Sequence, residues 1–189
     1  MSELSDIEGA DLGFAAYVPE LGAARPRRPI DVRPGTARDF RGILAVQHES
    51  ARPAMKPWSL DEILRDPQRV LLVALEGDTV VGWSKTHYWS RGDGMAGAGH
   101  YLAGVTVSPT RRRTGIADAL TAGRLEWIRN RASEAWYVAN AMNLASIDLH
   151  RRWGFEEVAR SSSFHGTEFA GGTGILFHLA IEGARIEPR

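Results

Sequence analysis

Apolar positions along the chain switch between a period of two and a period near 3.6, and each switch marks an element. Residues 30–33 alternate and stop at Pro34-Gly35, which predicts a short first strand. Thr36 is placed to cap a helix reaching to about residue 49, with Asp39 in its first turn and Phe40, Ile43, Leu44 and Val46 at helical spacing. Residues 51–58 contain Pro53 and Pro57 and read as a loop. Ser59 and Glu62 then form a capping box for a short second helix, closed by Asp66-Pro67. Residues 70–76 and 79–89 predict a hairpin about Gly77-Asp78, and residues 100–108 a third long strand ending at Pro109, after a glycine-rich loop. Residues 115–131 carry Ile116, Leu120, Trp127 and Ile128 on one face of a strong amphipathic helix. A strand at 135–139 follows, then a helix at 144–153 stopped by Gly154. Two closing strands, at 155–164 and 175–181, flank the turn Gly171-Gly172-Thr173-Gly174. The order β-α-α-β-β-β-α-β-α-β-β predicts one mixed α/β domain over residues 30–182, with an N-terminal arm at 1–29 and a tail at 183–189.

Composition narrows the classes of function. The 189 residues suffice for one domain with a sizeable core. No apolar run approaches the 18 residues of a membrane span, so no membrane partner is expected. Lys plus Arg equals Asp plus Glu at 23 each, without the basic excess of a non-specific nucleic-acid binder. The absence of cysteine excludes disulfides, zinc-thiolate sites and a Cys nucleophile. The acidic opening lacks the apolar core of a signal peptide, and the expected location is cytoplasmic.

Gly92-Asp93-Gly94-Met95-Ala96-Gly97 matches the dinucleotide-binding G-x-G-x-x-G, but a strand follows it, and the motif needs a helix there. The segment Val105-Thr106-Val107-Ser108-Pro109-Thr110-Arg111-Arg112-Arg113-Thr114-Gly115-Ile116-Ala117 is more informative. It takes a strand through a tight loop directly into the long helix. Its arginines stand at the positive end of the helix dipole, where each cation is disfavoured by about 0.3–1 kcal/mol. An anion reverses that balance, and N–H groups from Arg113 to Ala117 with the Arg112 and Arg113 side chains would cradle a pyrophosphate.

This segment resembles the acyl-CoA signature of the GCN5-related N-acetyltransferases, R/Q-x-x-G-x-G/A, here Arg112-Arg113-Thr114-Gly115-Ile116-Ala117. The run from Asn143 to Gly154-Phe155 is similar to the family's N-x-x-A-x-x-L-Y-x-x-x-G-F, with Ser146 in place of Ala and His150 in place of Tyr. The resemblance implies a mixed, mostly antiparallel sheet of about six or seven strands with a splayed central pair, flanked by about four helices. It implies an acyl-CoA-dependent N-acetyltransferase with acetyl-CoA as co-substrate, no metal, and a primary amine of a small molecule or peptide as acceptor. Val105, Thr106 and Val107 would pair with pantetheine, with Gly104 as a bulge; Thr114, Gly115 and Ile116 would line the phosphate loop, and Asn143 would hold the coenzyme by its amide. His150 is the candidate general acid in the place of the family's Tyr, with Tyr101, Tyr88 or a water as alternatives. His100 and Glu49 are candidate bases, beside His87 or a water chain. Acceptor recognition falls to residues 48–58, the hairpin about Trp83 and Trp89, and residues 164–174; few acidic residues there point to a modest amine rather than a polycation. Two rivals remain: a catalytically inactive CoA-binding regulatory module on the same fold, and a nucleotide-phosphate-binding domain. A homodimer is a possible partner arrangement by family habit.

Overall fold

Strand β1 (Asp31–Pro34) opens a seven-stranded sheet in the computed structural model, which describes residues 30–181 together with Phe14 and Tyr17. The predicted arm and tail otherwise lie outside the described residues. β1 pairs antiparallel with β2 (Leu71–Glu76), β2 with β3 (Thr79–Trp89), and β3 with β4 (Gly99–Val107). β4 lies parallel to β5 (Glu134–Asn140), while β9 (Gly174–Ala180) pairs antiparallel between β5 and β6 (Glu156–Ser161). The β4–β5 junction is held at only two positions, Tyr101 opposite Trp136 and Leu102 opposite Tyr137. Beyond them, residues 103–107 and 138–140 run on without pairing to each other, which is the splay implied by the family resemblance.

Helices cover both faces. α1 (Phe40–Glu49) and α2 (Pro57–Arg65) bury Ile43, Val46, Leu60 and Ile63 against Leu71, Val73, Leu75 and Trp83. On the other face α3 (Ile116–Arg129) sets Ile116 and Leu120 on Leu72, Ala74 and Val81. The same helix and α4 (Leu144–Arg152) set Leu125, Ile128, Ile147 and Leu149 on Leu102, Tyr137 and Phe177. No helix among the described residues is long and apolar enough to cross a membrane.

Three boundaries differ from the sequence expectation. Residues Ala37–Asp39 form a 3₁₀ turn ahead of α1. The Thr36 cap nevertheless forms: Asp39 Oδ2 accepts from Thr36 N at 2.8 Å and Oγ1 at 3.0 Å, while the Arg33 fork donates to Asp39 at 2.9 and 2.8 Å. α2 starts at Pro57, because a proline at the first helical position has no N–H to leave unpaired, and Ser59 falls inside the first turn. The strand expected at 155–164 breaks after Ser161. His165 (φ 49°) and Gly166 (φ 71°) turn the chain back to make a small hairpin of β7 (Ser163–Phe164) and β8 (Thr167–Glu168). The G-x-G-x-x-G run closes on itself through mutual Asp93–Ala96 backbone bonds of 2.8 and 2.9 Å and leads into β4, with no helix to bind a dinucleotide.

Candidate functional site

The β4–α3 connection supplies a set of free donors. After Val107, residues Pro109–Arg111 make a 3₁₀ turn, and Thr114 Oγ1 locks it by donating to Arg111 O at 2.7 Å. Arg113 (φ 63°) and Gly115 (φ 86°) are both left-handed, which turns neighbouring peptide N–H groups into one concave nest. Gly115 is the N-cap of α3. Among the described residues, no turn, loop or cap bond takes the N–H of Arg113, Thr114, Gly115, Ile116 or Ala117. The arginine run divides. Arg111 Nε donates to Glu76 Oε2 at 2.7 Å, toward the β2–β3 hairpin. Arg112 and Arg113 have no ion-pair partner among the described residues, so their charges face the nest's surroundings unneutralised. Arg52, whose guanidinium lies 5.6 Å from the Phe14 ring, has its pKa lowered by burial and by the charge of Arg112.

The splay opens beside this nest. Ser84 pairs with Val105 and Lys85 with Ala103, so Gly104 is the extra residue of a bulge that re-aims the edge of β4. Val105, Thr106 and Val107 are half-buried along that edge. Behind it lies Arg124, fully buried, which donates from Nη1 to Ala103 O at 2.8 Å, from Nη2 to Thr121 Oγ1 at 3.0 Å and from Nε to Leu120 O at 3.3 Å. Burial lowers its pKa to about 9, which still leaves it cationic at neutral pH. Across the gap, Tyr137 donates its hydroxyl to Ser146 Oγ at 2.6 Å, and burial raises its pKa to about 12. Asn143 caps α4, accepting from Ser146 N at 3.4 Å.

His150 lies under this pair rather than in the gap. Its ring stacks on Tyr137 at 3.8 Å and 15°, and Nδ1 donates to Ser146 O at 2.7 Å. Nε2 is buried without a partner. Burial first, then the charge of Arg124, lowers the His150 pKa to about 3, so the imidazole is neutral near pH 7 and its hydrogen sits on Nδ1.

The candidate bases are scattered. Glu49 Oε2 accepts from Ser108 Oγ at 2.6 Å, immediately beyond the open end of β4, and Ser50 Oγ donates to Val107 O at 3.3 Å. His100 is buried on the α3 face, edge-on to Trp127 at 5.3 Å, and four residues of strand, about 13 Å, separate it from Gly104. His87 lies beside Trp89 on the α1–α2 side; burial, then Arg69 and Lys85, lowers its pKa to about 4. Tyr101 donates to Gly97 O at 2.6 Å and Tyr88 packs on His100, both at the paired end of β4. The structure therefore gathers Glu49, the β4 edge and the nest at one end of the gap, and leaves His100 at the other.

Arg124 and Tyr137 were not reached from the sequence, and Ser146 was met only as the residue in the place of the motif's Ala. Arg124 had a signal, a charge on the apolar stripe of Leu120, Leu125 and Ile128. Tyr137 had none, since nothing local distinguishes it from any strand tyrosine.

A nest at a helix N-terminus beside a parted parallel strand pair defines an acyl-carrier-binding transferase architecture. The acetyltransferase (GNAT) family profile matches residues 37–155, and the chain belongs to that family. No curated protein sequence matches it. Among solved structures, it is similar to the ribosomal-protein-S18-alanine N-acetyltransferase of Escherichia coli, at 16% identity and TM-score 0.65 over 82% of this chain and 96% of that one. It is also similar to yncA of Salmonella typhimurium, solved with its cofactor acetyl-CoA, at 17% identity and TM-score 0.62 over 85% and 98%. Arabidopsis thaliana NAA60 in complex with acetyl-CoA matches at 19% identity and TM-score 0.65 over 82% and 100%. Likeness at these identities establishes the fold.

Proposed function

We propose that this chain moves an acetyl group from acetyl-CoA directly to a primary amine of a small molecule or peptide. The observation that carries the reading is the opening of unpaired β4 and β5 edges beside a nest of free N–H groups at the start of α3. The nest, with Arg112 and Arg113, fits a pyrophosphate. The peptide edges of Val105, Thr106 and Val107 fit the amides of pantetheine, as an added strand would. Asn143, its Oδ1 engaged at the cap, keeps its amide N–H₂ for the coenzyme.

Acetyl-CoA, when bound, supplies a thioester carbonyl activated for attack. The bulge at Gly104 offers a peptide N–H to stabilise the charge developing on its oxygen. Arg124, held behind Ala103, adds a buried positive charge without touching solvent. Glu49, held by Ser108 four residues of chain beyond Gly104, takes the proton of the attacking amine through a chain of waters rather than by direct contact. The departing thiolate draws its proton from the Tyr137–Ser146 hydroxyl pair, and His150 serves as the flat support that fixes the Tyr137 ring. This assignment follows from protonation: the phenol keeps its proton at neutral pH and the buried imidazole has none on the nitrogen left free.

The test is release of free thiol from acetyl-CoA across amino acids, small amines and peptides, with product mass measured. Acetylated amine formed at a saturable rate is expected. Tight coenzyme binding with no thiol release from any amine would replace this reading with a binding module.

A further inference from the structure

The face of the sheet opposite α3 carries a group of cations without ion-pair partners among the described residues, beside the point where the acyl group would lie. Cross-strand partners share a face, so Trp83 with Thr106, Lys85 with Ala103 and His87 with Tyr101 all project to the α1–α2 side. A Cβ placed on Gly104 would lie 3.8 Å from Trp83 Cη2 and 4.0 Å from Lys85 Cε, so both side chains converge on the bulge. Lys85 is half-buried and, among the described residues, has neither a hydrogen bond nor an ion pair. Thr86 N donates to Val70 O at 2.9 Å, which sets the preceding residue, Arg69, across from His87. Arg69 Nε is itself buried, with no hydrogen-bond partner among the described residues.

These groups repel one another. Burial, then the charge of Arg69, lowers the Lys85 pKa, and Arg69 and Lys85 both depress His87. Asp66 is the one carboxylate that acts on His87, and it accepts from Gln68 N without an ion pair to Arg69 or Lys85 among the described residues. Glu49 is engaged by Ser108 and Glu134 by His178. Two half-buried cations with no counter-ion among the described residues are costly alone, and an incoming anion relieves both at once.

We infer that the acceptor amine also bears a carboxylate, as an amino acid does, and that Lys85 and Arg69 receive this carboxylate while Trp83 walls the amine toward the bulge. The inference rests on the acetyl-transfer reading and deepens it. Lys85 and Arg69 act here as specificity residues on the face opposite the coenzyme nest.

The experiment compares thiol release from acetyl-CoA for a set of amino acids, each against its C-terminal amide and its decarboxylated amine. The carboxylates should show kcat/KM about 10- to 100-fold above their amides, the range of a hydrogen-bonded charge pair. Lys85→Met should collapse that ratio toward one, Lys85→Arg should retain most of it, and Arg69→Gln should reduce it. Equal turnover of acids and amides by the wild type overturns the carboxylate subsite while leaving acetyl transfer intact. Thiol release from no member of the set removes the transferase reading and this inference with it. Acetylation of Lys85 itself, seen by mass on incubation with acetyl-CoA alone, would also overturn the subsite, because the lysine would then be an acceptor.

Discussion

His150 and Tyr137 act as a pair because one aromatic face rests on the other. Stacked at 3.8 Å, with Nδ1 committed to Ser146 O, the imidazole fixes the phenol whose hydroxyl reaches Ser146 Oγ. Tyr137→Phe is expected to lower kcat about 100- to 10,000-fold with the acetyl-CoA KM changed less than about threefold, the range of one acid catalyst. His150→Phe, which keeps the stacking surface, should retain more activity than His150→Ala; steady-state kinetics of the three variants check this. Elsewhere, the Arg33 hydrogen bond foremost, and those from Thr36, lower the Asp39 pKa to about 2. A depressed carboxylate contributes stability that is complete above its unfolded pKa near 4 and is lost as pH falls toward 2. Because Arg33 is partly exposed, screening discounts the pair to about 1–2 kcal/mol. Asp39→Asn should therefore lower the unfolding free energy from urea titration at pH 7 by that amount, and the gap from wild type should narrow as pH falls through 2. The residue-scale chemistry was legible only in part. Thr36 and Asp39 could be read because a cap needs three residues of chain, whereas Tyr137 and Ser146 meet only after β5 and α4 pack.

At the scale of elements, the first turn of α3 carries the binding chemistry, and its backbone depends on Gly115. At φ 86° any L-residue there is strained, by about 1–2 kcal/mol. Gly115→Arg is expected to abolish acetyl-CoA binding measured by calorimetry while the thermal transition stays cooperative; retained affinity would move the phosphates elsewhere. Gly82, under the same helix, sets its height. A Cβ there would meet Ile116 Cγ2 at 2.9 Å and Thr106 O at 3.2 Å, and Gly82→Val should cost about 1–3 kcal/mol by overpacking and weaken acetyl-CoA binding as α3 lifts. The order of the seven strands of the main sheet and its four helices was readable because hydrophobic period and turn residues act over short stretches of chain, while the β7–β8 hairpin was missed. The start of α2 and the end of β6 were not readable. A proline at the first helical position set the start two residues ahead of the serine, and a His165-Gly166 turn competed with continued strand.

Across the whole molecule, the gap between β4 and β5 is where the two layered halves of the sheet meet, held by two residue pairs. Backbone groups left open there should exchange with solvent quickly and gain protection when the coenzyme adds its own amides. Hydrogen exchange of residues 103–107 and 138–140 should slow at least about tenfold with CoA, with little change in β1, β2 or β6; uniform protection would point to global stabilisation instead. The amino-acid sequence alone determined the alternation of elements, the strand-loop-helix junction at residues 105–117, and the free N–H groups there, since all depend on neighbours within a few residues. Tertiary structure decided which side chains face the gap. It buried His150, placed Glu49 against Ser108 across 59 residues, and set Arg69, Lys85 and Trp83 on one face, because sheet register and helix packing join segments whose local patterns carry no record of each other.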